Sequence, residues 1–297
     1  MENWRLSFRR KKYDLSQRTL IMAALNVTPD SFSDGGLFFT QEKAVEQGLR
    51  LAAAGADILD VGGESTRPGA RALAEEEEIR RVIPVIRDLR AKIDIPISVD
   101  TRKARVAESA LGEGAEIIND ITALRFDARM APLVAASQAY IVLMHMQGQP
   151  ENMQANPHYK DLLGEMMDFF QERMDFARRQ GIPRERTILD PGLGFGKSLE
   201  QEHNLVILRN LARFQTLGRP LLVGPSRKSF IGKILGQPSS EREEGTMGAV
   251  AVAIMNGASI VRGHEVERMR RIIQAATNGR GEPENWVNCS EPTAFAE

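Results

Sequence analysis

The feature that most constrains this chain is one short design that recurs along its length. An apolar run ends in a polar residue, a helical pattern follows, and the next apolar run begins. The first copy occupies Thr19 to Gly36. There Leu20 to Val27 is apolar or small except for Asn26, and the chain then turns polar through Thr28, Pro29 and Asp30 to Gly35 and Gly36. An unbroken apolar run closed by Pro and Gly reads as a strand buried on both faces. It is too short to stand as a helix. Further runs of this kind are Ala56–Gly63, Ile95–Asp100, Glu116–Ile121, Tyr140–His145, Thr187–Gly192, Pro220–Ser226 and Ser259–His264.

Helical patterns fill the intervals. Thr40–Ala54 carries Ala44, Val45, Gly48, Leu49 and Ala52 on one face and ends at Gly55. Glu75 to Glu78 place four acids at the start of the next helix, where its dipole favours them. Helices are also expected over Arg102–Gly112, Ala128–Gln138, Tyr159–Gln180, Lys228–Leu235 and Glu265–Thr277. Ser198 with Gln201, and Ser240 with Glu243, have the spacing of capping boxes for two more, the second running to about Asn256. Eight strands alternating with helices, without a break in composition, predict an α/β protein: a single-domain (β/α)8 TIM barrel over residues 20–278. An open doubly wound sheet would carry a Gly-rich dinucleotide turn after its first strand, and TPDSFSDGG is not one. Residues 1–19 read as an N-terminal extension with an edge hairpin, and 279–297 as a loosely ordered tail.

A length of 297 residues suits one such barrel. A formal net charge of −1 gives no reason to expect a nucleic-acid or membrane partner. The Arg9–Lys12 run is a solvated edge; no secretory h-region follows it, and no apolar stretch reaches membrane-span length. Cys289 is the only cysteine, so neither an intrachain disulfide nor a thiolate metal cluster can form, and a cytoplasmic location fits.

The strand ends carry the chemistry: Asn26, Asp60, Asp100, Asn119, His145, Asp190, Ser226, and the pair Arg262 and His264. In a parallel barrel these ends open on one face, where active sites sit. Any one of them can be read as a helix cap, and Asp100 before Thr101 invites that reading; the set does not. Asp100, Asn119, Asp190 and Lys228 offer carboxylate, amide and ammonium groups suited to the edge of an amino-pyrimidinone. Asn26, Arg67, Arg262 and His264 offer donors and positive charge suited to phosphate or diphosphate. The helix that follows Ser226-Arg227-Lys228-Ser229 adds backbone N–H groups for an anion. GLGFGKS, Gly192 to Ser198, is not a Walker A loop, because Pro191 stands where that pattern needs Gly. The four histidines lack zinc-ligand spacing. His145 reads equally as a site residue or as a hydrogen-bonded core histidine, and Met144 and Met146 beside it read as packing.

Seven segments in order, ALNVTPDSFSDGG, DVGGESTRPGA, ISVDTRK, IINDI, LDPGLGFGK, GPSRKSFIG and VRGHEV, resemble the dihydropteroate synthase family over nearly the whole chain. Ala23-Ala24 before LNVTPDS and Glu265 depart from its commoner Gly-Ile and Asp. The resemblance implies condensation of 6-hydroxymethyl-7,8-dihydropterin diphosphate with 4-aminobenzoate, giving 7,8-dihydropteroate and diphosphate. It also implies Mg2+, a homodimer and sensitivity to sulfonamides. Carried over residue by residue, it puts the pterin on Asp100, Asn119, Asp190, Phe195 and Lys228. The diphosphate falls to Asn26, Arg67, Arg262 and His264, with Asn26 also a magnesium ligand, and 4-aminobenzoate falls to Thr66, Pro68 and Ser229. Asp100, Arg67, Lys228, Arg262 and His264 are the expected catalytic set, working by dissociative substitution with magnesium-assisted departure of diphosphate. Phe32, Phe38 and Phe39 mark loop 28–39 as an expected lid. A barrel handling methyltetrahydrofolate for a corrinoid partner lacks reason to carry SRKSFIG and the two loops. A non-catalytic pterin binder lacks reason to keep the anion-binding set.

Overall fold

The computed structural model describes residues 4–28, 37–65, 72–150 and 152–277, with backbone alone for 37–40. Two short strands, β1 (Arg5–Ser7) and β2 (Lys12–Asp14), pair antiparallel as a separate hairpin. The barrel strands are β3 (Leu20–Asn26), β4 (Ile58–Gly62), β5 (Ile97–Asp100), β6 (Ile117–Asp120), β7 (Tyr140–Met144), β8 (Thr187–Asp190), β9 (Leu222–Val223) and β10 (Ile260–Gly263). They form one parallel eight-stranded sheet in the order β8-β7-β6-β5-β4-β3-β10-β9. An isolated parallel bridge, Leu189 to Leu221, joins β8 to the start of β9 and completes the ring.

The helices between them are α1 (Leu37–Ala53), α2 (Glu75–Arg90), α3 (Ala104–Gly112), α4 (Met130–Ser137), α5 (Leu162–Arg179), α6 (His203–Arg209), α7 (Ser229–Leu235), α8 (Glu243–Met255) and α9 (Val266–Thr277). The expected (β/α)8 barrel is therefore present. Side-chain alternation explains its two apolar layers. Leu20, Met22, Ile58, Ile117, Val142, Ile188, Leu222 and Ile260 point inward and pack together. Their neighbours Ile21, Ala23, Leu59, Ile118, Ile141, Leu189 and Val261 point outward into the helix layer. The hairpin does not extend a sheet edge. Its Leu6 and the adjacent Phe8 join the inward cluster, and Ser7 N–H donates to the Tyr140 hydroxyl at 2.9 Å, so it closes the N-terminal end of the barrel.

Several local expectations differ from the structure. Neither capping box forms. The Ser198 Oγ accepts from Gln201 N–H at 3.1 Å, but α6 begins only at His203, after Glu202 in the left-handed region. A 3-10 turn occupies Ser239–Glu241, and α8 starts after Arg242 with no side-chain cap. Pro220–Ser226 yields just two strand residues, because Pro220 and Pro225 lack the N–H that a ladder needs. α1 starts at Leu37, so Phe38 and Phe39 lie on a helix rather than in the preceding loop. Phe32 lies outside the described residues.

Candidate active site

Counting by twos along each strand places the polar groups. Asp60 follows inward Ile58, Asn119 follows Ile117, Asp190 follows Ile188, and Arg262 follows Ile260. The same parity takes Leu20, Met22 and Ala24 to Asn26, and Ser98 to Asp100. Apolar side chains fill the barrel, and its last inward layer, at the C-terminal mouth, is polar.

Arg262 organises this layer. Its Nε donates to Asp60 Oδ2 at 2.6 Å and its Nη2 to Asp100 Oδ2 at 2.9 Å. Asn119 Nδ2 donates to the same Asp60 oxygen at 3.0 Å. That bond turns the Asn119 carbonyl away from Asp60, and its Oδ1 is buried with no hydrogen-bond partner among the described residues. Asp190 Oδ1 accepts from Gly192 N–H at 2.7 Å. Lys228, at the N-cap of α7, lays its ammonium 4.0 Å from the centre of the Phe195 ring. Ser229 is the exposed first residue of α7. On the other side, Asn26 Nδ2 lies 3.3 Å from His264 Nε2, and Ser226 Oγ lies 2.9 Å from His264 Nδ1.

Burial shapes the charges. It raises the Asp100 carboxyl to about 7, against the pull of Arg262 and with a push from Asp60. It raises Asp190 to about 6, against the Gly192 hydrogen bond and Lys228. It lowers the Lys228 ammonium to about 8, with Arg262 adding to the effect and Asp190 opposing it. Arg262 is held above its ordinary value: burial opposes its charge, but Asp60 and Asp100 outweigh that. Acids lifted towards neutrality beside a lysine lowered towards it are typical of reactive clefts.

The structure brings together Asn26, Asp100, Asn119, Asp190, Phe195, Lys228, Arg262 and His264 around one mouth. Thr66, Arg67 and Pro68 lie outside the described residues. The sharp division between pterin residues and anion residues changes at Arg262, which bridges Asp100, on the pterin side, and Asp60. His145 is not in the mouth. Its parity is outward, and it is buried against Phe169 and Phe170 of α5, with ring centroids 4.8 and 6.3 Å away. Asp60 ends a strand like the others, and inward parity marks it as the anchor of Arg262 and Asn119. Lys197, in a loop that lacks the Walker A pattern, is fully buried.

Magnesium takes oxygen ligands in an octahedron and commonly keeps water or substrate phosphate among them. Among the described residues no group of three or more His, Cys, Asp or Glu could hold a metal. Asn26 offers a side-chain amide oxygen beside His264. That donor set fits an ion carried mainly by phosphate and water with one protein ligand.

A parallel barrel whose mouth gathers buried carboxylates, an amide and basic side chains has the form of an enzyme for a polar small molecule. A family model for pterin-binding enzymes matches residues 22–264. The curated dihydropteroate synthase of Synechocystis sp. is 49% identical over 265 residues, covering 89% of this chain and 91% of that protein. A Yersinia pestis dihydropteroate synthase in a sulfonamide drug complex superposes with a TM-score of 0.87 at 41% identity, covering 93% of this chain and 99% of that one. The Xanthomonas albilineans enzyme with 4-aminobenzoic acid gives a TM-score of 0.87 at 43% identity, covering 95% and 100%. The chain belongs to the dihydropteroate synthase family.

Proposed function

We propose that this transferase joins 6-hydroxymethyl-7,8-dihydropterin diphosphate to 4-aminobenzoate at the barrel mouth, releasing 7,8-dihydropteroate and diphosphate. The observation that carries the reading is the buried Asn119 Oδ1, without a partner among the described residues, fixed in orientation by Asp60 and adjoining Asp100. A buried acceptor left unpaired is costly, and a heterocycle N–H relieves that cost. Asp190 accepts the amino and ring N–H groups of the pterin, and Phe195 and Lys228 cover its face.

The carbon–oxygen bond to diphosphate breaks ahead of attack, the arylamine nitrogen then bonds to the pterin methylene, and the amine proton leaves to solvent. The substitution is dissociative, so two tasks dominate: stabilising cationic character on the methylene, and stabilising charge growing on the leaving group. Asp100 serves the first. Arg67, Arg262, His264 and Asn26 serve the second, and Arg262, tied to Asp100, links the two. Asn26 would hold Mg2+, which when bound would supply further neutralisation of charge on the leaving group. Thr66, Pro68 and Ser229 hold 4-aminobenzoate, whose carboxylate lies at the start of α7; sulfonamides compete there.

The protein acts as a homodimer in the cytoplasm. Support for the dimer is the set of exposed apolar side chains Ile234 and Leu235 on α7 and Val252 and Met255 on the adjoining α8. Among the described residues no helix is long and apolar enough to cross a membrane.

The deciding assay supplies pterin diphosphate and 4-aminobenzoate and follows diphosphate release and dihydropteroate together. Equal molar formation of both is expected. Diphosphate release without dihydropteroate, or neither product, overturns the reading.

A further inference from the structure

Lys197 has no part in the reaction as derived, yet it is the most fully enclosed cation described: its side chain is 0% exposed. Among the described residues no carboxylate forms an ion pair with it. Its Nζ lies 3.0 Å from His145 Nδ1 and donates to the carbonyls of Phe195 at 2.9 Å, Gly192 at 3.2 Å and, more weakly, His145 at 3.4 Å. An ammonium has three protons, so these acceptors saturate it. A buried charge balanced by carbonyl dipoles and one imidazole is expensive to keep, and its surroundings must be built to hold it. Burial lowers this ammonium to about 7, with Asp190 opposing and Lys228 assisting. His145 is pushed well below its ordinary value by burial and then by Lys197, so its Nδ1 is the acceptor in this pair.

The carbonyls it gathers belong to the loop that carries the pterin groups. Gly192 gives its N–H to Asp190 and its carbonyl to Lys197. Phe195, whose ring lies under Lys228, gives its carbonyl to the same ammonium. Gly192, Gly194 and Gly196 all have positive φ. A Cβ at Gly192 would stand 2.1 Å from the His145 carbonyl oxygen, and one at Gly196 2.5 Å from that of Gln147. The loop is thus pressed onto the end of β7 with its carbonyls converging on one point. Many proteins place a bound cation at such a convergence; here the chain supplies its own.

We infer that Lys197 is a positioning residue for the pterin subsite: an internal ammonium that ties the Gly192–Gly196 loop to the end of β7 and so sets Asp190 and Phe195. It touches no substrate. The inference rests on the proposed pterin site. It goes further in assigning the shape of that site to a residue in the layer behind the barrel wall.

The test measures pterin binding by calorimetry, and KM for each substrate, in wild type, Lys197→Met and Lys197→Ala. The expected result is a rise of about tenfold or more in Kd and KM for the pterin substrate, with KM for 4-aminobenzoate at saturating pterin within about twofold. Propylammonium should restore part of the pterin affinity to Lys197→Ala and none to Lys197→Met, whose side chain fills the space. Unchanged pterin affinity, or equal loss for both substrates without rescue, overturns the inference. If neither variant folds, the wild-type protein labelled at lysine 15Nζ decides. Its slowly exchanging buried ammonium signal should shift on adding pterin and not on adding 4-aminobenzoate alone; an unmoved signal overturns the inference. Wild type that fails to bind any pterin would instead overturn the proposed function.

Discussion

At the scale of single residues, Arg262 and Asp190 make the sharpest claims. Arg262→Ala would leave Asp60 and Asp100 facing each other in a buried layer without their shared cation. Breaking a buried pair from one side costs about 3 to 5 kcal/mol. Both a lower melting temperature and a large loss of kcat are therefore expected, measurable by calorimetry and steady-state assay. Arg262→Lys should rescue little, since an ammonium cannot reproduce the two-pronged bridge. Asp190→Asn should weaken pterin binding about a hundredfold, as two charge-assisted hydrogen bonds at about 1.5 kcal/mol each are lost. The pH dependence follows from the direction of the Asp190 shift. The folded carboxyl, raised from 3.8 to about 6, binds more protons than the unfolded one between those values. Its contribution to stability is therefore lost as pH rises across that window and is level above it. Pterin affinity should run the other way, climbing as Asp190 ionises through about pH 6. Binding isotherms from pH 5 to 8 check this, and Asp190→Asn should flatten the lower limb.

At the scale of elements, the legible and the illegible separate on physical grounds. Strand existence was readable because buried parallel strands are continuous apolar runs, and the polar strand ends pointed to the mouth. Parity was the unused signal. Two-residue alternation from Ile58 and Ile188 puts Asp60 and Asp190 inside, whereas alternation from Val142 puts His145 outside, among Phe169 and Phe170. The capping-box spacing at Ser198 and Ser240 misleads because spacing alone does not show that the intervening residues form a turn. The role of Lys197 was invisible because its partners are main-chain carbonyls, which no side-chain pattern records. The terminal hairpin yields an element-scale prediction. Leu6 is buried in the inward cluster, so Leu6→Ala should cost about 2 to 5 kcal/mol of stability. KM for both substrates should stay within twofold, because the lesion is at the end of the barrel opposite the mouth. Denaturant titration and steady-state kinetics together check it.

At the scale of the whole molecule, the exposed apolar side chains of α7 and α8 concern assembly. Met255→Glu with Val252→Asp should convert the proposed dimer to a monomer in sedimentation analysis; an unchanged sedimentation coefficient would place the interface elsewhere. The ring itself is uneven. Its strands are paired at two to five positions everywhere except between β8 and β9, where a single bridge at Leu189 and Leu221 closes the circle. Asp190 stands on one side of that junction and Lys228 follows from the other. A pterin held by both residues would span the gap like a clasp on a bracelet. In amide hydrogen exchange, Leu189 and Leu222 should open sooner than the matched positions of β4 and β5, and pterin should slow them most. The heterocycle being transformed would then also be the piece that completes the wall around it.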